Sequence, residues 1–321
     1  MRAAVVRAWG SLEPGELPEP TPGPGEVLIA VKAAGVNFAD TLIVAGKYQE
    51  KPTLPFSPGL EVAGEVVALG PGVRKLRKGD RVMGTTPFGG FAEFALGRED
   101  ACYVLPKGMD WDIAAGFPVT YGTAHGAMRW YLDLKAGQTL VVHGAGGGAG
   151  LAAVECGKAI GARVIATAGS DDKLALARAH GADEGINYAS EDLRERIKTL
   201  TGGAGADAVF DPVGGEAFEA SMRSTAWGGR IAVIGFASGK VPQIPANILL
   251  VKNLAVYGVF WGSYRTRRPD LLAAEFAELF GWYEEGKLRP HVSHRVPLAE
   301  APRALELLTS RKATGKVVVT V

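Results

Sequence analysis

Cysteine is nearly absent from this chain: its 321 residues include only Cys102 and Cys156. The two lie far apart in sequence and without metal-type spacing, which excludes a disulfide framework and any multi-cysteine zinc site. Long apolar runs are missing too. No segment approaches the roughly 20 apolar residues that span a bilayer. The opening Met1–Val6 is too short and too quickly interrupted for a secretory signal, and reads as a first strand. Charge imbalance is lacking as well. With 35 Lys and Arg against 34 Asp and Glu, the formal net charge is +1, so no global field draws the protein to nucleic acid or anionic lipid. The basic clusters at Arg74–Lys78 and Arg265–Arg268 read as solvated loop charge, and no basic–aromatic patch or internal repeat is visible. The expectation is a cytoplasmic protein with neither a nucleic-acid nor a membrane partner.

The residues that are present suit a two-domain enzyme. The length allows two domains of about 100–200 residues each, and the 47% hydrophobic content supplies a core. The first 110 residues read as β-rich, with strands at Val27–Ala33, Glu61–Leu69, Arg81–Val82 and Gly90–Leu96. Turn signals at such short spacing predict a small barrel or sandwich. After Asp110 the pattern changes. A helical stretch, Ile113–Trp130, precedes strands at 140–142, 163–168, 185–188, 206–211, 229–235 and 254–260, which alternate with helices at 151–160, 171–180, 191–200 and 216–225. Such alternation implies a parallel sheet covered on both faces. The tail adds helices at 270–285 and 299–310 and strands at 291–296 and 316–321. The last of these is predicted to return to the first domain and make it discontinuous.

The most informative segment is Thr139–Gly150, a short apolar strand running straight into His143-Gly-Ala-Gly-Gly-Gly-Ala-Gly and then an alanine-rich helix. Strand, glycine turn and helix in that order bring backbone N–H groups to a helix N-terminus, where a dinucleotide pyrophosphate is favoured. Two registers fit the fingerprint, Ala145-x-Gly147-x-x-Gly150 and Gly144-x-Gly146-x-x-Ala149. An NAD site normally carries an acidic residue about 20 positions later. Here Ala168 occupies that place, followed by Gly169, Ser170 and Lys173. Ser170 and Lys173 could bind a 2′-phosphate, so NADPH is the expected cofactor. Asp171 and Asp172 read as helix capping. His125 and His143 lack ligand partners at metal spacing and read as structural, and Trp111, Trp130 and Trp227 read as packing.

Gly35-Val-Asn-Phe-Ala-Asp40, Pro58-Gly-Leu-Glu-Val-Ala-Gly64, the His143–Gly150 turn, Asn187-Tyr188 and Ser310-Arg-Lys-Ala-Thr-Gly-Lys316 together carry a resemblance. Over essentially its whole length the chain resembles the zinc-free quinone oxidoreductase (zeta-crystallin-like) branch of the medium-chain dehydrogenase/reductase superfamily. The resemblance implies an α/β architecture: a GroES-like β-barrel domain (1–117 and 265–321) interrupted by a Rossmann doubly wound parallel-sheet domain (118–264). It also removes an activity. The alcohol dehydrogenase branch carries a zinc-binding Cys where Asn37 lies and a His where Leu60 lies, and its structural-zinc loop is missing here between Gly84 and Asp100. No metal site is therefore expected.

The resemblance implies further roles. The nicotinamide is expected near Asn37, Asp40, Thr120 and the turn Ala145, Gly146, Gly147, Gly148 and Ala149, flanked by backbone of Phe236, Val259 and Phe260. Gly169, Lys173, Tyr188 and Arg311 match the 2′-phosphate positions, and Lys316 joins the cofactor-binding set. Tyr48 is the candidate proton donor, or else a loop tyrosine. Asp40 would orient a hydroxyl or water, or make a structural hydrogen bond. Phe38, Leu42, Ile43, Trp261 and Tyr264 are expected to form an apolar pocket, Leu42 standing where relatives often have tyrosine. The expected function is NADPH-dependent reduction of a small-molecule acceptor, a quinone, by a homodimer formed along Leu254–Phe260. The alternatives are an enoyl-thioester or enone reductase using Tyr48, and a dinucleotide-bound structural protein of crystallin type.

Overall fold

Apolar runs closed by glycine, proline or charged turns become strands throughout this chain. The computed structural model describes residues 1–321. They divide into two units, Met1–Val119 with Gly262–Ala277 and Pro290–Val321, and Thr120–Trp261 with Glu278–Arg289.

The first unit begins with β1 (Arg2–Val5), β2 (Glu13–Glu16), β3 (Glu26–Val36), helix α1 (Phe38–Val44), β4 (Glu61–Leu69), β5 (Arg81–Thr85), β6 (Phe94–Arg98), β7 (Cys102–Val104) and α2 (Trp111–Ala115). Helix α3 (Phe117–Gly126) follows. The second unit holds β8 (Thr139–Val142), α4 (Gly148–Ile160), β9 (Arg163–Ala168), α5 (Asp171–Ala179), β10 (Glu184–Asn187), α6 (Leu193–Leu200), β11 (Ala206–Asp211), α7 (Gly215–Ser224), β12 (Thr225–Val233), α8 (Ala246–Lys252) and β13 (Ala255–Gly258). The tail supplies α9 (Tyr264–Arg267), α10 (Pro269–Glu284), β14 (Val292–Pro297), α11 (Ala301–Thr309) and β15 (Lys316–Thr320).

In the first unit the sheet runs β14-β15-β3-β4-β5-β7, with β6 also paired to β3. The closing strand β15 pairs antiparallel with β3, Val317 opposite Val36, and β3 pairs with β4, Ala34 opposite Val62. The barrel interior is filled by Val27, Ile29, Val62, Val82, Phe91, Val317 and Val319, all fully buried. This is a GroES-like barrel.

The second unit is a six-stranded sheet of order β10-β9-β8-β11-β12-β13 with every pair parallel. That is the dinucleotide-binding strand order, reversing at β8. Its central strands are sealed on both faces, so they read as continuous apolar runs rather than alternating ones. The end of α10 belongs here. Glu278 binds His125 Nε2 at 2.9 Å and pairs with Arg129, while the Arg289 N–H donates to Glu155 at 3.0 Å. Trp227 departs from the expected packing role, being 72% exposed. The β11–β12 register slips between Ala206 and Ala208 as Ala226–Gly229 loop outward, carrying the ring into solvent.

Candidate functional site

At the carboxyl end of β8 the chain turns through His143–Gly147, and α4 begins at Gly148 with Gly147 as its N-cap. A Cβ on Gly150 would lie 2.7 Å from Ala145 Cα and overlap the Gly144 carbonyl, so only glycine fits there. That close approach selects the register Ala145-x-Gly147-x-x-Gly150, whose last glycine lets helix and strand pack. The first-turn amides of this 13-residue helix have no acceptor within the helix. They point to the switch point of the sheet with the positive end of the helix dipole behind them. His143 is fully buried below the turn, bridging Thr167 Oγ1 (2.9 Å) and Ser221 Oγ (2.6 Å). Burial holds its pKa down, so it serves as a neutral internal strut.

Four of the five residues expected at a 2′-phosphate or beside it gather at the ends of β8–β10. The Lys173 stem lies against Gly146, where an added Cβ would be 2.7 Å away, and the Tyr188 ring lies over Gly169 at 3.1 Å on the same measure. Ser170 is the N-cap of α5 but its side chain makes no capping bond. Asp171 accepts from Asn187 Nδ2 at 2.9 Å, which keeps that carboxylate occupied with β10. The residues present fit a phosphorylated dinucleotide. Arg311 belongs to the other unit, in the turn after α11 with φ +58°.

A second polar centre lies inside the first unit. The Asn37 side chain donates from Nδ2 to Glu61 Oε1 at 2.9 Å and accepts at Oδ1 from Lys316 Nζ at 2.7 Å. Lys316 Nζ also pairs with Glu61 Oε1 at 2.6 Å, and the Val119 N–H donates to Glu61 Oε2 at 2.8 Å. Asp40, in the first turn of α1, accepts from the Asn37 N–H (2.7 Å) and the Gly59 N–H (3.2 Å). All four side chains are buried. Burial raises the Asp40 pKa to about 7, against the pull of its two backbone donors and Lys316; the Glu61 charge adds to the rise. Tyr48 is half-buried against the barrel core. Burial, then the charges of Glu50 and Asp40, raise its pKa, so the phenol keeps its proton at neutral pH.

Residues 23–144 match the alcohol dehydrogenase GroES-like domain family, and residues 148–278 match the zinc-binding dehydrogenase family. The chain is 41% identical over 300 residues to a quinone oxidoreductase-like protein 2 homolog of Nematostella vectensis, covering 92% of this chain and 82% of that protein. It is 39% identical over 300 residues to a quinone oxidoreductase of Pseudomonas aeruginosa, covering 93% and 92%. The solved structure of Escherichia coli quinone oxidoreductase complexed with NADPH aligns over the whole of both chains, with a TM-score of 0.94 and 31% identity. The chain belongs to the quinone oxidoreductase branch of the medium-chain dehydrogenase/reductase superfamily.

Within that family framework the other expected site residues are placed as follows. Asp40 is sealed from solvent and each carboxyl oxygen accepts from a backbone amide, which braces the Asn37 and Gly59 turns. The Lys316 ammonium is buried against Glu61 and Asn37. Ile43 is 1% exposed and belongs to the barrel core, since the turn of α1 that exposes Phe38 points Ile43 inward. Trp261 is buried against Gly122 in the second unit, whereas Tyr264 and Leu42 are half-buried in the first. Thr120 and Val259 are buried; the Val259 N–H donates to the Val233 carbonyl at 3.0 Å, while Phe236 and Phe260 stay exposed.

Glu61 carries a role the sequence reading did not assign. Its signal was available: a carboxylate at the head of a largely apolar strand, matched by a lysine at the head of another. A comparable buried group, Glu155 on α4, receives Tyr121 OH at 2.7 Å and binds His180 Nδ1 at 2.5 Å. No group of three or more His, Cys, Asp or Glu side chains is placed to hold a metal ion, and no helix is long and apolar enough to cross a membrane.

Proposed function

We propose that this protein is an NADPH-dependent, zinc-independent quinone oxidoreductase of the cytoplasm. The observation that carries the reading is the cluster at the strand ends: the Lys173 stem on Gly146 and the Tyr188 phenol over Gly169, with Ala168 where an NAD site has its carboxylate. A carboxylate at that place would repel a 2′-phosphate; a lysine, a serine hydroxyl and a phenol attract one. The resemblance implies Arg311, in the first unit, as a further 2′-phosphate residue. The α4 amides suit the pyrophosphate; for the nicotinamide end the resemblance implies Asn37 of the first unit, and Thr120 with the backbone of Phe236, Val259 and Phe260 of the second. Bound NADPH supplies a hydride, and the acceptor must also gain a proton. Tyr48 holds one on its phenol oxygen at neutral pH because burial and neighbouring carboxylates disfavour the phenolate. Phe38, Leu42 and Tyr264 present an apolar surface to a flat acceptor.

That same protonated Tyr48 favours a second reading, reduction of an enone or enoyl thioester, which needs a proton donor more than a quinone does. NADPH oxidation measured with ortho-quinones, para-quinones and enoyl thioesters separates the two. We expect quinones to be turned over, with activity retained after exhaustive chelation and in Tyr48→Phe. Activity confined to thioesters and abolished by Tyr48→Phe overturns the proposal in favour of the second reading. Tight NADPH binding with no turnover of any acceptor overturns both and leaves a crystallin-type binding protein. We further propose a homodimer through β13, an edge strand beside α8, whose Leu250 and Val251 are 79% and 75% exposed. Sedimentation equilibrium tests this.

A further inference from the structure

We propose that Glu61 and Lys316 are positioning residues, which lock the Asn37 carboxamide in one orientation for hydride transfer; this rests on the reductase reading above. The two ends of an asparagine amide are alike in shape and opposite in hydrogen bonding. An ionised carboxylate only accepts and an ammonium only donates. With Glu61 Oε1 at 2.9 Å from Nδ2 and Lys316 Nζ at 2.7 Å from Oδ1, a flipped amide would set donor against donor and acceptor against acceptor. The charges therefore choose the orientation. Asn37 retains one N–H on Nδ2 beyond its bond to Glu61, now in a defined place.

The arrangement is built by the barrel. Strands β15, β3 and β4 are neighbours, so Lys316 at the start of β15 and Glu61 at the start of β4 arrive on either side of the β3 end that leads into Asn37. Space is cleared for both partners. A Cβ on Gly116 would lie 2.5 Å from Lys316 Cγ, and one on Gly35 would overlap the Glu61 carboxylate. The Val119 N–H anchors the outer oxygen of Glu61 at 2.8 Å, leaving the inner one for Asn37 and Lys316. A buried ion pair is weak evidence for stability, because desolvation offsets its attraction. Defining the geometry of a third group is the function its position supports.

The test uses Glu61→Gln, Lys316→Met, the double variant and Gly116→Ala, which displaces the Lys316 stem without removing a polar atom. Each is measured for kcat, acceptor KM, NADPH Kd, the isotope effect with NADPH deuterated at the transferred position, and Tm. We expect kcat to fall about 10- to 100-fold, as for a misplaced reacting group, with KM and Kd within about 2-fold and a larger isotope effect. The double variant, with no unpaired buried charge, is expected to regain Tm but not kcat. Recovery of kcat along with Tm overturns the proposal, as does Gly116→Ala with unaltered kcat. The orientation is also read without turnover. The chain has four asparagines, so selective nitrogen-15 labelling with Asn37→Asp as the assignment control isolates the Asn37 amide. The Asn37 N–H signal bonded to Glu61 is expected to shift in Glu61→Gln and in Lys316→Met relative to the native protein; unaltered shifts overturn the inference. Absence of quinone turnover in the native enzyme bears on the reductase reading alone.

Discussion

Around Asn37, four side chains from three separate stretches of the barrel hold one another out of water, each polar contact between protein groups. At the ends of β8–β10 the arrangement is reversed: Gly169 and Tyr188 are exposed, Ser170 and Lys173 half-exposed, and the helix amides lack acceptors of their own. The difference is between a centre that fixes geometry and one that keeps donors ready for an anion. Deleting a charge should therefore cost stability in the first and affinity in the second.

The largest expected effect is in the barrel. Lys316→Met leaves the Glu61 carboxylate buried and unpaired, and should lower unfolding free energy by about 3–5 kcal/mol in urea titrations. Adding Glu61→Gln should restore most of it. If the single variant is as stable as the native chain, the contrast between the two centres fails. Next comes Gly150→Ala, which drives a methyl into the Ala145 backbone. An overpacking cost of about 1–3 kcal/mol is expected, seen both in Tm and as weaker NADPH binding by fluorescence titration. Smaller again, Lys173→Ala and Arg311→Ala should each raise the NADPH Kd by about 10-fold through loss of a charge-assisted bond of roughly 1.5 kcal/mol. Tm and NADH affinity should hold. Equal losses for both coenzymes would sever the link to a 2′-phosphate.

A separate probe of the barrel centre is pH. Asp40 titrates near 7 when folded, against an ordinary carboxyl of 3.8. The native state thus keeps this proton while the unfolded chain loses it, and stability falls as pH rises from about 4 to 7. Its contribution is complete below that window and gone above it. Asp40→Asn should flatten the slope of unfolding free energy against pH by up to about 1 kcal/mol per pH unit. An unaltered slope would mean that the carboxyl is ionised in the fold.

Much of this architecture was readable in advance. The bounds Glu61–Leu69, Arg163–Ala168 and Ala206–Asp211 coincide with β4, β9 and β11, because each is an apolar run closed by turn residues. Short elements such as α1, α8, β2 and β7 escaped, since three to seven residues seldom complete a recognisable period. At the site, the cradle was legible because its parts are local: a glycine turn, and residues just beyond two strand ends. Ile43 was not, because a single turn of helix turns Phe38 outward and Ile43 into the core.

Local chemistry thus sufficed for the order of strands and helices, the glycine turn and the missing carboxylate at Ala168, since each depends on neighbours within a few residues. Which charges would meet was another matter. Glu61 and Lys316 are distant in the chain and come together through the pairing of β15 with β3 and of β3 with β4. Burial then turns two ordinary ions into the constraint on Asn37, because inside the barrel neither has water as an alternative partner.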